Sequence, residues 1–369
     1  MRITGVRALT FTSPLPRLMG GSGKSGPMWR RSAFIVQIET DAGLTGLGEA
    51  LTLPDVATVL VSRYLEPLLL GEDPCDIPRL WQKLWRRTGY HGGRGYMVEA
   101  ISAIEIALWD LRGQAEGQPI CALLGPIHQR EIATYAAGLY WNTLPEIVAE
   151  AQAYAAEGFP AVKMKVGMGL DEDVRRIRAV RAAIGPSPGL MIDANGAYTA
   201  AEAIELARRV ADQGIYWFEE PVAQEDLGGY REVRAAAGCR IAGGEGEATR
   251  WGFEPLIAGG CVDVVQPDLL RVGGYLEAQA VVALAEAAGV RVAPHNWCSG
   301  VGLAASLHWA AGVRSLELVE YERFPFPLRE ELITPPLERT GHHLHVPQAP
   351  GLGVTLDPVA AERYLVRSE

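Results

Sequence analysis

Cysteine is scarce in this chain, with five among 369 residues, at Cys75, Cys121, Cys239, Cys261 and Cys298. They are odd in number and far apart, and no CxxC occurs, which excludes a disulfide framework and a cysteine zinc site. A reducing cytoplasm is the expected compartment. Also missing is any apolar run long enough to span a membrane, and the opening "MRITGVRALTF" has no signal-peptide core. Positive charge is in deficit. The net charge is −10, which argues against a nucleic-acid partner, since that needs a basic footprint. What remains is a chain with 48% hydrophobic residues, able to bury a large core and long enough for two domains.

A phosphate-binding loop is absent too, although "MGGSGKSGPMW" (residues 19–29) imitates one. The pattern G-x-x-x-x-G-K-[ST] places its first glycine at position 18, which is Leu18. The loop should also open a helix whose N–H groups hold phosphate. Here Pro27 and the strand pattern "MWRRSAFIVQIE" follow instead. The stretch reads as a mobile glycine-rich surface loop, a kind that often serves function.

Residues 1–125 read as an α+β domain. "AFIVQIE" and "LTGLGEA" flank "TDAG", the signature of a hairpin. "DVATVLVSRYLEPLLLG" and "MVEAISAIEIALWDLRGQAEG" carry helical spacing, the second through Ile101, Ile104, Leu108 and Leu111. From about residue 130 a rhythm begins. Eight short apolar runs ("EIATYAA", "AVKMKV", "GLMIDA", "IYWFEE", "CRIAGGE", "VDVVQPD", "VRVAPH", "LELVEY") alternate with alanine-rich amphipathic segments, most ending in glycine. Buried strands alternating with helices imply parallel βαβ units, and eight of them a TIM-type barrel over residues 126–321. Residues 322–369 lose the rhythm and are expected to pack back on the first domain. "HHLH" (residues 342–345) lacks carboxylate or cysteine companions nearby, so it is expected to be a strand of that cap rather than a metal site.

In such a barrel the chemistry sits at the C-terminal ends of the strands. Lys165, Asp193, Glu219, Glu245, Asp268, His295 and Glu320 stand at those ends, each 23 to 28 residues after the last. Ionisable groups therefore ring one mouth. Asp193, Glu219 and Glu245 come from three adjacent strands. Converging carboxylates repel unless a cation lies among them, and all-oxygen ligation favours Mg²⁺, with Mn²⁺ as a substitute. Lys163 and Lys165 share one strand face, and two close ammonium groups near a metal are expected to depress each other's pKa and tune a base. An Asp268–His295 pair supplies a second acid/base across the barrel. No serine or cysteine nucleophile is evident. This set suits abstraction of a proton next to a carboxylate, through an enediolate.

The pieces "VKMKVG", "MIDANGAY", "WFEEPV", "AGGEGE", "VVQPDLLRVGG", "APHN" and "VEY", with the helix "AISAIEIALWDLRGQAEGQPICALLG", resemble the enolase superfamily and, within it, the mandelate racemase subgroup. The lysine after the sixth strand that marks the muconate-lactonising subgroup is missing. The resemblance implies a (β/α)7β barrel under an α+β cap, and Mg²⁺ on Asp193, Glu219 and Glu245. It implies Lys165 as one base with Lys163 neutralising the carboxylate, and His295 paired with Asp268 as the opposite acid/base. Asn195 would contact substrate and Glu320, rather than Glu317, would hydrogen-bond the enediolate. The glycine loop would close over the mouth on glycine hinges, bringing Lys24, Trp29, Arg30 or Arg31 to an anionic small-molecule substrate, with Tyr140 also in contact. The implied activity is dehydration of an acid sugar, an aldonate or aldarate, to a 2-keto-3-deoxy acid. The alternatives are racemisation or epimerisation of a 2-hydroxy acid and, more remotely, a non-catalytic ligand-binding barrel. A homo-oligomer, from dimer to octamer, is expected, with no membrane partner.

Overall fold

The structure, a computed structural model, describes residues 1–367. Three antiparallel strands open the chain: β1 (Ile3–Met19), β2 (Met28–Thr40) and β3 (Thr45–Ala50), in that order across the sheet. The expected hairpin is β2–β3, turning at Gly43 with φ +76°. Helices α1 (Pro54–Leu60), α2 (Ile77–Thr88) and α3 (Tyr96–Glu116) follow. α3 lies almost on the backbone of β3. A Cβ on Gly48 would stand 1.9 Å from the Ala103 carbonyl oxygen, and one on Gly46 2.2 Å from that of Ala107. The glycines of "LTGLGEA" thus permit a close approach of sheet and helix.

The barrel strands are β4 (Glu131–Ala137), β5 (Ala161–Lys165), β6 (Gly189–Asp193), β7 (Ile215–Glu219), β8 (Arg240–Gly243), β9 (Val264–Val265), β10 (Arg291–Val292) and β11 (Val319–Glu322). All eight expected runs form parallel strands, paired in sequence order from β4 to β10. β11 pairs with β4, and a bridge from Val292 to Leu316 closes the ring. The two-residue strands β9 and β10 are the shortest. Alternation then sorts the side chains. One inward layer holds Tyr135, Ala161, Met191, Trp217, Ala242, Val264 and Ala293, with Tyr135 and Trp217 edge to face at 5.3 Å. Two residues further along the same strand faces come Lys163, Asp193, Glu219, Gln266 and His295. An apolar floor therefore lies directly under a charged layer.

Buried carboxylates of the cap bind backbone N–H groups of the barrel, the tail and the cap itself. Glu49, on β3, accepts from Ser299 N (2.8 Å), Ser299 Oγ (2.5 Å) and Gly302 N (2.7 Å) at the start of helix Gly300–Ala310. Glu105 accepts from Tyr275 N (2.8 Å) and Leu276 N (3.1 Å) at the start of helix Tyr275–Ala287. Asp110 accepts from Leu47 N and Leu352 N. Each carboxylate meets N–H groups that would otherwise lack partners, two of the sets at the positive end of a helix dipole. Burial pushes Glu49 up to about 7, Glu105 to about 8 and Asp110 to about 6.

The tail departs from expectation. β12 (His343–His345) is a strand, but it pairs antiparallel with residues 131–133 of barrel strand β4, not with the cap. β4 starts ahead of its neighbours: β11 joins it only at Thr134 and β5 at Ala136, which leaves that edge open. Other parts of the tail do reach the cap, where Leu365 bridges to Phe11. Among the described residues no helix is long and apolar enough to cross a membrane.

His308 joins three segments. Its Nδ1 accepts from Cys121 N (3.2 Å) and its Nε2–H donates to Leu352 O (3.1 Å), so the ring is neutral. Burial lowers its pKa to about 4. The unfolded chain takes up this proton below about pH 6.5, the folded chain only below about 4, so protons favour unfolding between those values. Wild type should therefore lose about 2 kcal/mol more than His308→Gln between pH 7 and 4.5. Urea denaturation of both proteins at the two pH values measures the difference; parallel losses would refute the assignment.

Candidate active site

The charged layer is assembled by strand ends. Asp193, Glu219 and Glu245 offer one carboxylate oxygen each, all within 4.8 Å of one another and all buried. Lys163 Nζ lies 2.6 Å from Glu219, 2.9 Å from Glu320 and 3.6 Å from Asp193. Lys165 Nζ lies 2.5 Å from Asp193 Oδ2. On the far side His295 Nδ1 is 2.6 Å from Asp268 Oδ2, while its Nε2 faces Glu245 at 3.6 Å and Glu320 at 3.8 Å. Glu317 is elsewhere, holding Tyr216, Arg240 and Arg291 at the opposite end of the strands. The backbone is strained where these strands end. Leu139, Asn195 and Glu220 have φ of +49°, +47° and +39°, a left-handed conformation that non-glycine residues hold only where surroundings impose it.

Both lysines depart from the expected depression of pKa. Burial disfavours the ammonium of Lys163 and of Lys165, but Glu219 and Glu320 outweigh it for the first and Asp193 for the second, so both are raised. The expected depression presupposes a metal beside the two ammonium groups, which would draw on the same carboxylates. For His295 burial likewise opposes charge, while Glu245, Glu320 and Asp268 raise the ring to about 9. Glu219, pushed up chiefly by burial, reaches about 8.

These shifts describe a site short of positive charge. Asp193, Glu219, Glu220, Glu245, Asp268 and Glu320 are all buried, and among the described residues only Lys163, Lys165 and Lys24 face them as permanent cations. Glu245 Oε2 is buried with no hydrogen-bond partner. Three lysine ammonium groups already sit on carboxylates of the triad, Lys163 on Glu219, Lys165 on Asp193 and Lys24 on Glu245. A hard divalent ion fits this all-oxygen set.

The glycine loop covers the mouth, and Lys24 is its contact: Nζ lies 2.5 Å from Glu220 and 3.0 Å from Glu245. Neither Gly20 nor Gly23 has a positive φ. What they supply is proximity, since a Cβ on Gly23 would lie 2.3 Å from Ala194 O and one on Gly20 2.4 Å from Asn142 Oδ1. Trp29 is 61% exposed. Arg31 is buried, paired with Glu322 at 2.8 Å and stacked between Trp297 and Phe326. Tyr140 lies beneath Trp297, whose Nε1 donates to its hydroxyl at 3.2 Å. Asn195 is held by Glu220, its Nδ2 donating at 3.2 Å.

Two residues of the site escaped the sequence reading. Gln266 donates to Glu219 Oε2 at 2.7 Å, and its place two before Asp268 was the available signal. Glu220 follows a metal-site residue, so strand alternation sends it away from the mouth; its left-handed backbone turns it back.

A closed barrel whose strand ends carry a buried carboxylate triad, flanked by a lysine pair and an Asp–His pair, defines a cation-dependent acid/base enzyme. Residues 24–125 match the family described as mandelate racemase / muconate lactonizing enzyme, N-terminal domain, and residues 146–360 the enolase C-terminal domain-like family. The chain belongs to the enolase superfamily, in its mandelate racemase / muconate lactonizing enzyme family. It is 39% identical to the D-galactarolactone cycloisomerase of Agrobacterium fabrum, over 91% of this chain and 92% of that one. It is 34% identical to the arabinonate dehydratase of Saccharolobus solfataricus, over 90% of each. A racemase from Streptomyces coelicolor with bound magnesium superposes with a TM-score of 0.91 at 33% identity, over 99% of this chain and all of that one.

Mg²⁺ should raise the melting temperature of the protein. Glu245→Gln should weaken Mg²⁺ binding by at least about 100-fold, a first-shell loss exceeding the 10–100-fold typical of outer-shell changes. Calorimetric titration decides, and unchanged affinity would remove Glu245 from the ligand set.

Proposed function

We propose that the protein is an acid-sugar dehydratase that uses Mg²⁺, with Mn²⁺ as a substitute, to convert a sugar acid to its 2-keto-3-deoxy product. The observation that carries the proposal is the placement of Lys165 and His295 on opposite sides of the buried triad, β5 against β10. The Saccharolobus dehydratase supports the leaving group. The proposal extends to a cytoplasmic homo-oligomer, in keeping with five free cysteines.

A divalent cation on Asp193, Glu219 and Glu245 would relieve the carboxylates that keep Lys165 protonated and offset the second negative charge of the enediolate. Lys163 binds the substrate carboxylate. Lys165 removes the α-proton, and the C–H electrons move into the carboxylate. The hydrogen bond from Glu320, which needs the protonated acid, stabilises that charge. As the electrons return, the bond to the 3-hydroxyl breaks and the protonated form of His295 donates the proton with which it leaves as water. Asp268 fixes the His295 ring so that Nε2 faces the substrate. The resulting enol tautomerises to the 2-keto acid.

A second reading is cycloisomerisation, favoured by the 39% identity to the Agrobacterium enzyme. The steps are the same, but the leaving oxygen belongs to a ring, so the ring opens and no water is lost. Incubation with a panel of sugar acids and their lactone or anhydro forms in D₂O separates the outcomes. A 2-keto product from open-chain acids is expected. Keto product from cyclic substrates alone would favour the second reading, and α-deuterium exchange without keto product an epimerase. Lys165→Ala and His295→Asn should each lose at least about 1000-fold in turnover, the upper range for positioned acid/base groups. Full activity in both would overturn the site.

A further inference from the structure

The cations at the mouth can be counted, and none is spare. A sugar acid presents one carboxylate, for which the triad's cation and Lys163 provide. An aldarate presents a second at its distal end, which needs another positive group. Lys24 is the cation carried by the loop over the mouth, but it is committed to Glu220 and Glu245. With Glu245 turned to a divalent ion, Glu220 still requires Lys24, because its carboxylate is buried and its only other side-chain partner is Asn195. Removing the ammonium would leave a buried charge uncompensated.

The remaining cations on these loops are paired as well, Arg31 in a buried pair and Arg94, Arg250 and Arg271 in partly exposed ones. Arg31 is spent on Glu322, and Arg94 on Glu225 and Glu247. Arg271 is paired with Glu99 at 3.1 Å and Arg250 with Glu277 at 2.7 Å. Arg30 is exposed and stands on the opposite face of β2 from Arg31. Among the described residues, no lysine or arginine at this end of the barrel is left for a second carboxylate or a phosphate.

What the mouth does offer is neutral. Asn195 Oδ1, Asn296 Oδ1 and Asn142 Nδ2 are buried without hydrogen-bond partners. They lie on the loops after β6, β10 and β4, at the end of the barrel that carries the charged layer. Two acceptors and one donor of amide type match hydroxyl groups, which both donate and accept. A carboxylate would find two of the three repulsive.

We infer that the substrate is a monoacid with a neutral, hydroxylated distal end, an aldonate or its anhydro form, and that aldarates and phosphorylated aldonates are excluded by the pairing of Lys24 with Glu220. The inference rests on the proposed function but concerns recognition rather than chemistry. Lys24 is thereby a specificity-determining residue that acts by being unavailable.

The test measures binding. Mg²⁺-loaded Lys165→Met protein, which cannot remove the α-proton, is titrated calorimetrically with aldonates and with the aldarates of matching configuration. At least one aldonate should bind ten-fold or more tighter than its aldarate. Glu220→Gln in the same background should narrow that ratio at least three-fold by freeing Lys24. Aldarates binding equally or more tightly would overturn the inference, as would binding of neither class. A ratio unaltered by Glu220→Gln would overturn the role of Lys24. Failure of the proposed function shows separately, as tight aldonate binding without α-proton exchange in the enzyme that retains Lys165.

Discussion

Too many carboxylates are buried at the mouth of this barrel, and the site is organised around that excess. Asp193, Glu219 and Glu245 converge within 4.8 Å, and Glu220, Glu320 and Asp268 crowd the same layer. Burial makes each charge costly unless something positive meets it. Three lysines and a histidine respond in the structure, every one with its proton held more tightly than usual. In the proposed mechanism the same groups are the base, the acid, the carboxylate partner and the loop anchor. The demand for positive charge thus explains at once the fit to a divalent ion, the protonated histidine and the seat of Lys24.

The fold supplies the convergence. Alternation along a strand puts an apolar residue and then an ionisable one on the same inward face, as in Met191 then Asp193 and Trp217 then Glu219. Tyr135 and Trp217 fill the floor, so the charged layer rests on packed aromatic surface instead of water. Low polarizability beneath and a closing loop above strengthen each interaction between them.

Much of this was legible in the chain. Eight apolar runs ending in ionisable residues at βα spacing are enough to place a barrel, its working end and seven of the groups that meet there. The failures have physical causes. Glu220 breaks the alternation rule because its backbone is left-handed. The pKa of Lys165 depends on Asp193 at 2.5 Å, a contact between strands that spacing within "VKMKVG" does not report. Helix α2 passed unnoticed although Ile77, Leu80, Trp81 and Leu84 have helical spacing, because "DIPRLWQKLWRRT" begins with a proline and sits between two stronger patterns. The strand "HLH" is short enough to join any open edge, and only the early start of β4 selects it.

Glu49 and Lys24 sit on one small sheet, yet they answer to different needs. The β3 edge is tied through Glu49 to the backbone just beyond His295, and so to the alignment of the acid/base. The connection between β1 and β2 carries Lys24 and touches the barrel largely through glycine and one ammonium group. Residues 20–27 can therefore vary around Gly20, Gly23 and Lys24 while β3 keeps the machinery in register. A lineage built on this plan can change diet without relearning chemistry, because the two tasks are inherited on separate edges of the same three strands.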